Sequence, residues 1–144
     1  GEGVEAIIEA LVARVEAPQG DPHAPLQALI FDAKYDEYRG IVVCVRIING
    51  TLRKGDTAHM IGVGADYEAV DIGKFMPKMV AHDSLSVGEV GYFISNIKNL
   101  EDVRVGDTMT IAKGEQAEAL QGYREPQPMV WCGVFPVSSG DFED

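Results

Sequence analysis

The chain has 144 residues and a formal net charge of −11, with 46% hydrophobic and 24% charged residues. This composition is typical of a globular protein and excludes a disordered or fibrous one, and the length accommodates one complete hydrophobic core. The negative charge repels polyanions, so DNA is not expected as a partner, although a local basic patch could still contact RNA.

The apolar segments indicate where the protein resides. No apolar run approaches the roughly 20 residues that span a bilayer, and no basic region precedes an apolar one at the N-terminus. Cys44 and Cys132 are far apart and both lie in strand-like apolar runs, which favours buried free thiols over a disulfide. We therefore expect a cytoplasmic protein.

The first predicted element is an amphipathic helix. Apolar side chains recur at helical spacing over residues 4–15, and Glu2 and Glu5 suit the positive end of a helix dipole. An apolar stripe of this width must pack on another part of a protein. Residues 18–25 contain three prolines and one glycine, which cannot continue a helix and predict a linker.

From residue 26 to residue 113 the pattern changes to short apolar strands separated by turns that contain glycine. Six short strands without a helix signal between them predict a mainly β fold, a small antiparallel β-barrel of the closed type. Closure removes exposed strand edges. The candidate strands cover residues 26–33, 41–48, 57–61, 67–75, 87–97 and 107–112.

Three turns are specified by their residues. Asn49-Gly50 follows the second candidate strand and predicts a type I′ hairpin turn, because both residues tolerate a positive φ. Residues 52–57 and 103–108 share the order apolar, Arg, any residue, Gly, Asp, Thr. We expect the two glycines to be left-handed and the two aspartates to cap the turn backbone.

The C-terminal part predicts a second linker and one more strand. Residues 114–127 are polar and precede a proline, whereas residues 129–137 form an isolated apolar run that is followed by acidic residues. We expect residues 128–144 to begin a further domain, just as the N-terminal helix is expected to end a preceding one.

No catalytic, cofactor or metal site is predicted within the chain. No GxxxxGK[ST] motif occurs, and the glycines of residues 62–66 are not followed by a helix signal, so turn glycines are favoured over a phosphate cradle. The three histidines are too dispersed for a metal site, and no serine lies in a nucleophile elbow. Asp32, Asp36 and Glu37 are interpreted as solvated turn residues rather than an acid–base pair.

Basic residues near the first hairpin and around the Phe75-Met76-Pro77 loop offer the one candidate site. They could contact backbone phosphates, or they could be edge-strand charges that keep the barrel in solution. Phe75, Met76 and Met79 are interpreted as the rim of the core rather than an RNA-stacking platform. The candidate RNA contacts are Arg39, Arg53, Lys54, Lys74 and Lys78.

Several motifs distributed over the chain resemble one family. They are Gly20-Asp21-Pro22-His23-Ala24-Pro25-Leu26-Gln27-Ala28-Leu29-Ile30-Phe31-Asp32, Tyr35-Asp36-x-Tyr38-Arg39-Gly40, Phe75-Met76-Pro77-Lys78-Met79-Val80, Leu85-Ser86-x-Gly88-Glu89-Val90-Gly91-Tyr92, Arg104-Val105-Gly106-Asp107-Thr108 and Pro128-Met129-Val130. Together they resemble the LepA family of translational GTPases (elongation factor 4, the ribosomal back-translocase), centred on its domain II barrel.

The resemblance implies a domain organisation and a function. Residues 1–17 would be the last helix of a GTPase domain, 26–113 the barrel, and 128–144 the start of an α/β domain. GTP and magnesium would bind outside this chain, in a protein that hydrolyses GTP on the ribosome and moves tRNAs backward. The implied partners are the RNA and protein of the small subunit and the GTPase domain of the same protein.

Two further expectations accompany this hypothesis. The implied location is the cytoplasm, with peripheral association on the cytosolic face of the membrane in bacteria. The alternative is a free-standing barrel that binds a protein or single-stranded RNA. A small barrel enzyme would need a cofactor or polar pocket that the sequence does not disclose.

Overall fold

The structure is a computed structural model, and it describes residues 2–121 and 129–133. These residues contain one α-helix and ten strands, which confirms the predicted mainly β fold. The elements are α1 (Val4–Arg14), β1 (Gln27–Asp36), β2 (Gly40–Asn49), β3 (Thr51–Arg53), β4 (Thr57–Met60), β5 (Ala65–Glu68), β6 (Asp71–Met76), β7 (Lys78–Ala81), β8 (Ser84–Ser86), β9 (Val90–Ile94) and β10 (Thr108–Ile111).

All described strand pairs are antiparallel. Eight strands form one sheet in the order β5-β4-β10-β1-β2-β9-β6-β7, and β3 pairs with β8 in a separate ribbon. Backbone bonds from Lys54 N to Asp83 O (3.0 Å) and from Gly55 N to Ala69 O (2.8 Å) tie the turn after β3 to the chain beside β6 and β8. The sheet and the ribbon thereby form a small antiparallel barrel around one core.

Strand β2 lies at the centre of the core. Ile41, Val43, Val45 and Ile47 are buried and contribute to the main apolar cluster together with Leu52 and Leu85 of the ribbon, among others. Burial of each such side chain contributes about 1.5–3 kcal/mol. A second, smaller cluster lies on the opposite face of the sheet, where Met79 packs on Val42, Tyr92 and Ile94.

The predicted hairpin at Asn49-Gly50 is wrong. Gly50 has a φ of +73°, but no described residue other than glycine has a positive φ, so Asn49 cannot occupy a type I′ turn. The chain continues from β2 into β3, which pairs with β8. The side chain of Asn49 instead accepts a hydrogen bond from Asp21 N and donates one to Gln27 Oε1, both 2.9 Å long.

The number of strands was also underestimated. The candidate strand over residues 67–75 is divided into β5 and β6, because Ala69 N and Val70 N bond to Asp56 O and Ile94 O instead of continuing one ladder. Strands β3, β7 and β8 were not predicted. The candidate strand over 87–97 shortens to β9, since Gly88, with a φ of +79°, belongs to the preceding turn.

The two Gly-Asp turns have the predicted backbone conformation, but their two aspartates bind different groups. Gly55 and Gly106 have φ values of +87° and +92°, as predicted. Asp56 caps its own turn, since Arg53 N donates to Asp56 Oδ2 over 2.8 Å. The carboxylate of Asp107 accepts a hydrogen bond from Thr108 N (2.7 Å) and also binds the chain just after the neighbouring strand β4, where it accepts hydrogen bonds from Gly62 N (2.6 Å) and Val63 N (3.1 Å).

The regions outside the barrel differ in their exposure. Helix α1 has no buried residue, so its predicted apolar stripe is exposed among the described residues. Residues 129–133 form no strand, and the rest of the predicted C-terminal strand, 134–137, lies outside the described residues, as do residues 122–128 and 138–144. No described helix has the length and apolar character needed to cross a membrane.

The two thiols have different environments. Cys44 is buried and unpaired, as predicted, whereas Cys132 is exposed, so its predicted burial is wrong. The strand on which that prediction depended is absent from residues 129–133, the described part of this region.

Candidate RNA-contact surface

The β1–β2 turn is held rigidly by one carboxylate. Asp36 Oδ1 accepts hydrogen bonds from Tyr38 N (2.9 Å) and Arg39 N (3.0 Å), which is the local arrangement that aspartate favours in turns. Gly40 completes the turn with a φ of +73°. The ring of Tyr38 is 94% exposed, and Arg39 is exposed beside it. The turn therefore presents an aromatic ring and a guanidinium group to solvent.

The β6–β7 hairpin lies over the outer face of the sheet. Its ladder pairs Phe75 with Met79, and the Phe75 ring packs edge-on against Tyr92 with centroids 5.8 Å apart. Lys34 Nζ lies 5.6 Å from the Phe75 ring centroid, a cation–π distance. Phe75 and Met79 thus form a rim around the outer cluster, as predicted, whereas Met76 is 62% exposed.

The two turns meet through one contact. Arg39 Nη1 lies 3.0 Å from Met79 Sδ, which places the tip of the β1–β2 hairpin beside the β6–β7 hairpin. We call the surface formed by Lys34, Arg39, Phe75, Lys78 and Met79 the hairpin-tip patch. Its three cations come from three strands or turns and have no ion pair recorded among the described residues. Lys34 was not predicted, because its approach to Phe75 depends on a contact between distant strands.

The other predicted cations lie elsewhere. Lys54 Nζ pairs with Asp71 at 3.2 Å, at the beginning of β6, whereas Lys78 follows the end of that strand. The five residue steps of β6 separate those ends by roughly 16 Å. Lys74 Nζ pairs with Glu89 at 2.5 Å. The predicted set is therefore divided, and only Arg39 and Lys78 belong to the hairpin-tip patch.

Arg53 belongs to a different feature. It lines a cleft of about 410 Å³ between the barrel and the segment that precedes it. Three further side chains of this cleft, His23, Thr51 and Asp56, are polar, but Thr51 Oγ1 donates to Pro22 O and Asp56 accepts a hydrogen bond from Arg53 N. Arg53 is therefore the one cationic side chain, apart from any charge on His23, that this cleft offers to a ligand.

Burial and neighbouring charges shift the pKa values of Glu89 and Tyr92. Burial alone would raise the pKa of Glu89, but hydrogen bonds from Lys74 and from Ser86 N hold that pKa below its ordinary value. Burial raises the pKa of Tyr92, and the nearby Asp71, which accepts a hydrogen bond from the Tyr92 hydroxyl over 3.1 Å, raises that pKa further. Lys74 and Lys54 are each paired with a carboxylate, that of Glu89 and that of Asp71 respectively.

Within residues 2–121 and 129–133, no group of three or more His, Cys, Asp and Glu side chains is arranged to hold a metal ion.

Comparison with known proteins defines the class of the barrel. The family model described as "Elongation factor Tu domain 2" matches residues 40–110, which run from β2 to β10. This is a class of translation-factor barrel, in agreement with the architecture described above.

Similarity to known proteins also covers the parts of this chain outside the barrel. A protein named elongation factor 4 from Bacillus licheniformis is 48% identical over 144 residues, which cover 100% of this chain and 24% of the relative. The Bacillus cytotoxicus protein of that name is 46% identical over the same length, and the Staphylococcus aureus protein (strain JH1) is 47% identical over 142 residues. The chain belongs to the elongation factor 4 (LepA) family and spans about a quarter of the length of these relatives.

Proposed function

We propose that this chain is the non-catalytic domain II barrel of a GTP-hydrolysing translation factor that acts on the ribosome. The observation that carries this proposal is the 46–48% identity to proteins named elongation factor 4 over the whole chain. The proposed activity of the complete protein is back-translocation in support of translational fidelity, in the cytoplasm or at the cytosolic face of the membrane. GTP and magnesium would bind to a part of the protein outside this chain.

The barrel's proposed role is to dock on the RNA and protein of the small ribosomal subunit. Arg39 and Lys78 are the leading contacts, because they are exposed at the hairpin-tip patch and have no carboxylate partner recorded among the described residues. Arg53 is a third contact, at the edge of the cleft. Lys54 and Lys74 are secondary, because phosphate would have to compete with Asp71 and Glu89 for them.

The regions around the barrel have proposed roles as well. We assign residues 1–17 to the end of the GTPase domain, 18–25 and 114–127 to connecting segments, and 128–144 to the next domain. The exposed apolar residues of α1 support the first assignment, because an apolar stripe of this kind is stable when it packs on a partner surface. That partner would be the GTPase domain of the same protein.

Co-sedimentation with isolated small ribosomal subunits at low and high salt tests the docking role. The Arg39→Glu/Lys78→Glu variant should lose most of the salt-sensitive binding, since it replaces two phosphate-contacting cations. The matched control is Lys98→Glu/Lys113→Glu, which changes the net charge equally at exposed positions outside the patch. Equal binding by both variants would overturn the assignment of the patch, and preferential binding to short single-stranded RNA would favour a free-standing barrel.

A further inference from the structure

The chain approaches and leaves the barrel along neighbouring paths. We call residues 18–25 the entering connector and residues 114–121 the leaving connector. Both were expected to be linkers, but the structure shows that each is hydrogen-bonded to the barrel at defined positions. Their attachments converge on the two paired residues at the open ends of β1 and β2, Gln27 and Asn49.

The entering connector is held by close backbone contacts. Asp21 N donates to Asn49 Oδ1 over 2.9 Å, and Gly50 N donates to Asp21 O over 2.8 Å. A side chain at Gly20 would collide with Ile48 O, and one at Gly88 would lie 2.6 Å from Pro18 Cβ. The connector therefore lies against the end of β2 at a distance that only glycine permits.

The leaving connector is held by side chains of β10 and β1. Ala117 N donates to Thr110 Oγ1 over 3.0 Å, and Leu120 N donates to Thr108 Oγ1 over 2.9 Å. Gln27 Nε2 donates to Glu118 O over 2.8 Å. These bonds place the leaving connector next to the start of β1.

Two side-chain amides join these attachments into one chain of hydrogen bonds. Asn49 Nδ2 donates to Gln27 Oε1 over 2.9 Å, so the order is Asp21 N–H, Asn49, Gln27 and Glu118 C=O. Each amide uses its oxygen as an acceptor and its nitrogen as a donor. Reversal of either amide would place like groups opposite each other and break two bonds, so the orientation of each amide depends on the other.

We propose that the Gln27–Asn49 pair couples the two connectors, so that release of the leaving connector loosens the attachment of the entering connector on the other side of the pair. When Glu118 O moves away, Gln27 loses the contact that fixes its amide. Asn49 Nδ2 then loses a fixed acceptor, so Asn49 Oδ1, the acceptor for Asp21 N, is no longer held in place. In relatives about four times longer than this chain, such a pair would link the segments before and after the barrel. The inference does not depend on ribosome binding.

Amide hydrogen exchange measured by NMR on the whole chain tests the coupling. Gln27→Met keeps the length of the side chain and removes both amide groups. Exchange of the Asp21 amide should accelerate about three- to tenfold, the effect of one weakened hydrogen bond, although residue 27 does not contact residue 21. Amides of Val43 and Val45 report whether the barrel itself remains folded.

Two further variants separate coupling from local loosening. Thr110→Val detaches Ala117 and leaves both amides in place, so exchange should accelerate in the leaving connector and, through Glu118 and Gln27, at the Asp21 amide as well. Gln27→Glu removes the donor to Glu118, but either oxygen of its carboxylate can accept from Asn49 Nδ2, so the leaving connector should loosen while Asp21 stays protected. Unchanged Asp21 exchange in Gln27→Met, with the core protected, would overturn the proposal. Equal acceleration in Gln27→Met and Gln27→Glu would overturn it too.

Discussion

Arg39 and Met79 are 40 residues apart in sequence, and their Nη1 and Sδ atoms lie 3.0 Å apart in the structure. This contact joins the turn of the β1–β2 hairpin to the β6–β7 hairpin. It depends on the position of the second hairpin over the outer cluster, where Met79 packs. The hairpin-tip patch is therefore a product of the tertiary fold.

Gly73 controls that position. A Cβ atom at this residue would collide with Val80 O and lie 2.6 Å from Tyr92 Oη, so Gly73→Ala should displace β7 and destabilise the barrel by about 1–3 kcal/mol. Gly64→Ala is the control, because Gly64 has a φ of +73° but open space around its Cβ position. Urea denaturation measures both, and only Gly73→Ala should shift the NMR signal of the Met79 methyl group. A shift of equal size in both variants would contradict this explanation.

Asp107 should matter more for stability than its sequence counterpart Asp56. Asp107 is buried and accepts hydrogen bonds from Gly62 N, Val63 N and Thr108 N. Asp107→Ala leaves several of these donors without a partner and should cost roughly 3 kcal/mol, whereas Asp56→Ala should cost about 1 kcal/mol. Denaturation midpoints with equal m-values would show this difference, and equal losses would refute the structural distinction.

Glu89 should contribute a pH-dependent part of the stability. Its folded-state pKa lies below 4.5, its ordinary value, because Lys74 and Ser86 N outweigh the opposing effect of burial. The stabilisation is therefore present above pH 4.5 and is lost as the pH falls through the folded-state pKa. Glu89→Gln retains an acceptor for Ser86 N and should be less stable than the native chain at pH 7. The difference in unfolding free energy between the two proteins, measured by urea denaturation, should be smaller at pH 3 than at pH 7. A larger difference at pH 3 would contradict a lowered pKa of Glu89.

The two thiols should react at very different rates. Burial, and secondarily the negative charge of Asp32, raise the pKa of Cys44, while Cys132 is exposed. A thiol-specific chromogenic disulfide at pH 8 should modify Cys132 rapidly and Cys44 slowly, because the thiolate is the reacting species. Cys132→Ser should abolish the rapid phase. Fast modification that persists in this variant would show that Cys44 is accessible.

Local patterns in the sequence predicted local structure well. The left-handed conformations of Gly55 and Gly106 depend on residues close in sequence, and they were confirmed. The hairpin predicted at Asn49-Gly50 was wrong because that prediction uses only adjacent residues, whereas the Asn49 side chain binds residues 21 and 27. Short strands such as β8 have too few residues to show a periodic pattern. They form because they pair with strands that are distant in sequence.

The candidate site was predicted less completely for the same reason. Charge and loop position identified Arg39 and Lys78, but they could not show that Lys54 and Lys74 pair with Asp71 and Glu89. The partners are 17 and 15 residues away in sequence, and the side chains meet only after the barrel forms. Lys34 was missed because its neighbour Phe75 lies on a strand that is distant in sequence.

Site-specific cross-linking to the small ribosomal subunit tests the central claim most directly. A photoreactive group attached at Lys78→Cys, in a Cys132→Ser background, should form a salt-sensitive cross-link to small-subunit RNA. The same group at Glu68→Cys, on the exposed edge strand β5 at the other end of the strand order, should give little RNA product. Equal RNA cross-linking from both positions, or none from position 78 when the chain is bound, would contradict docking through the hairpin-tip patch.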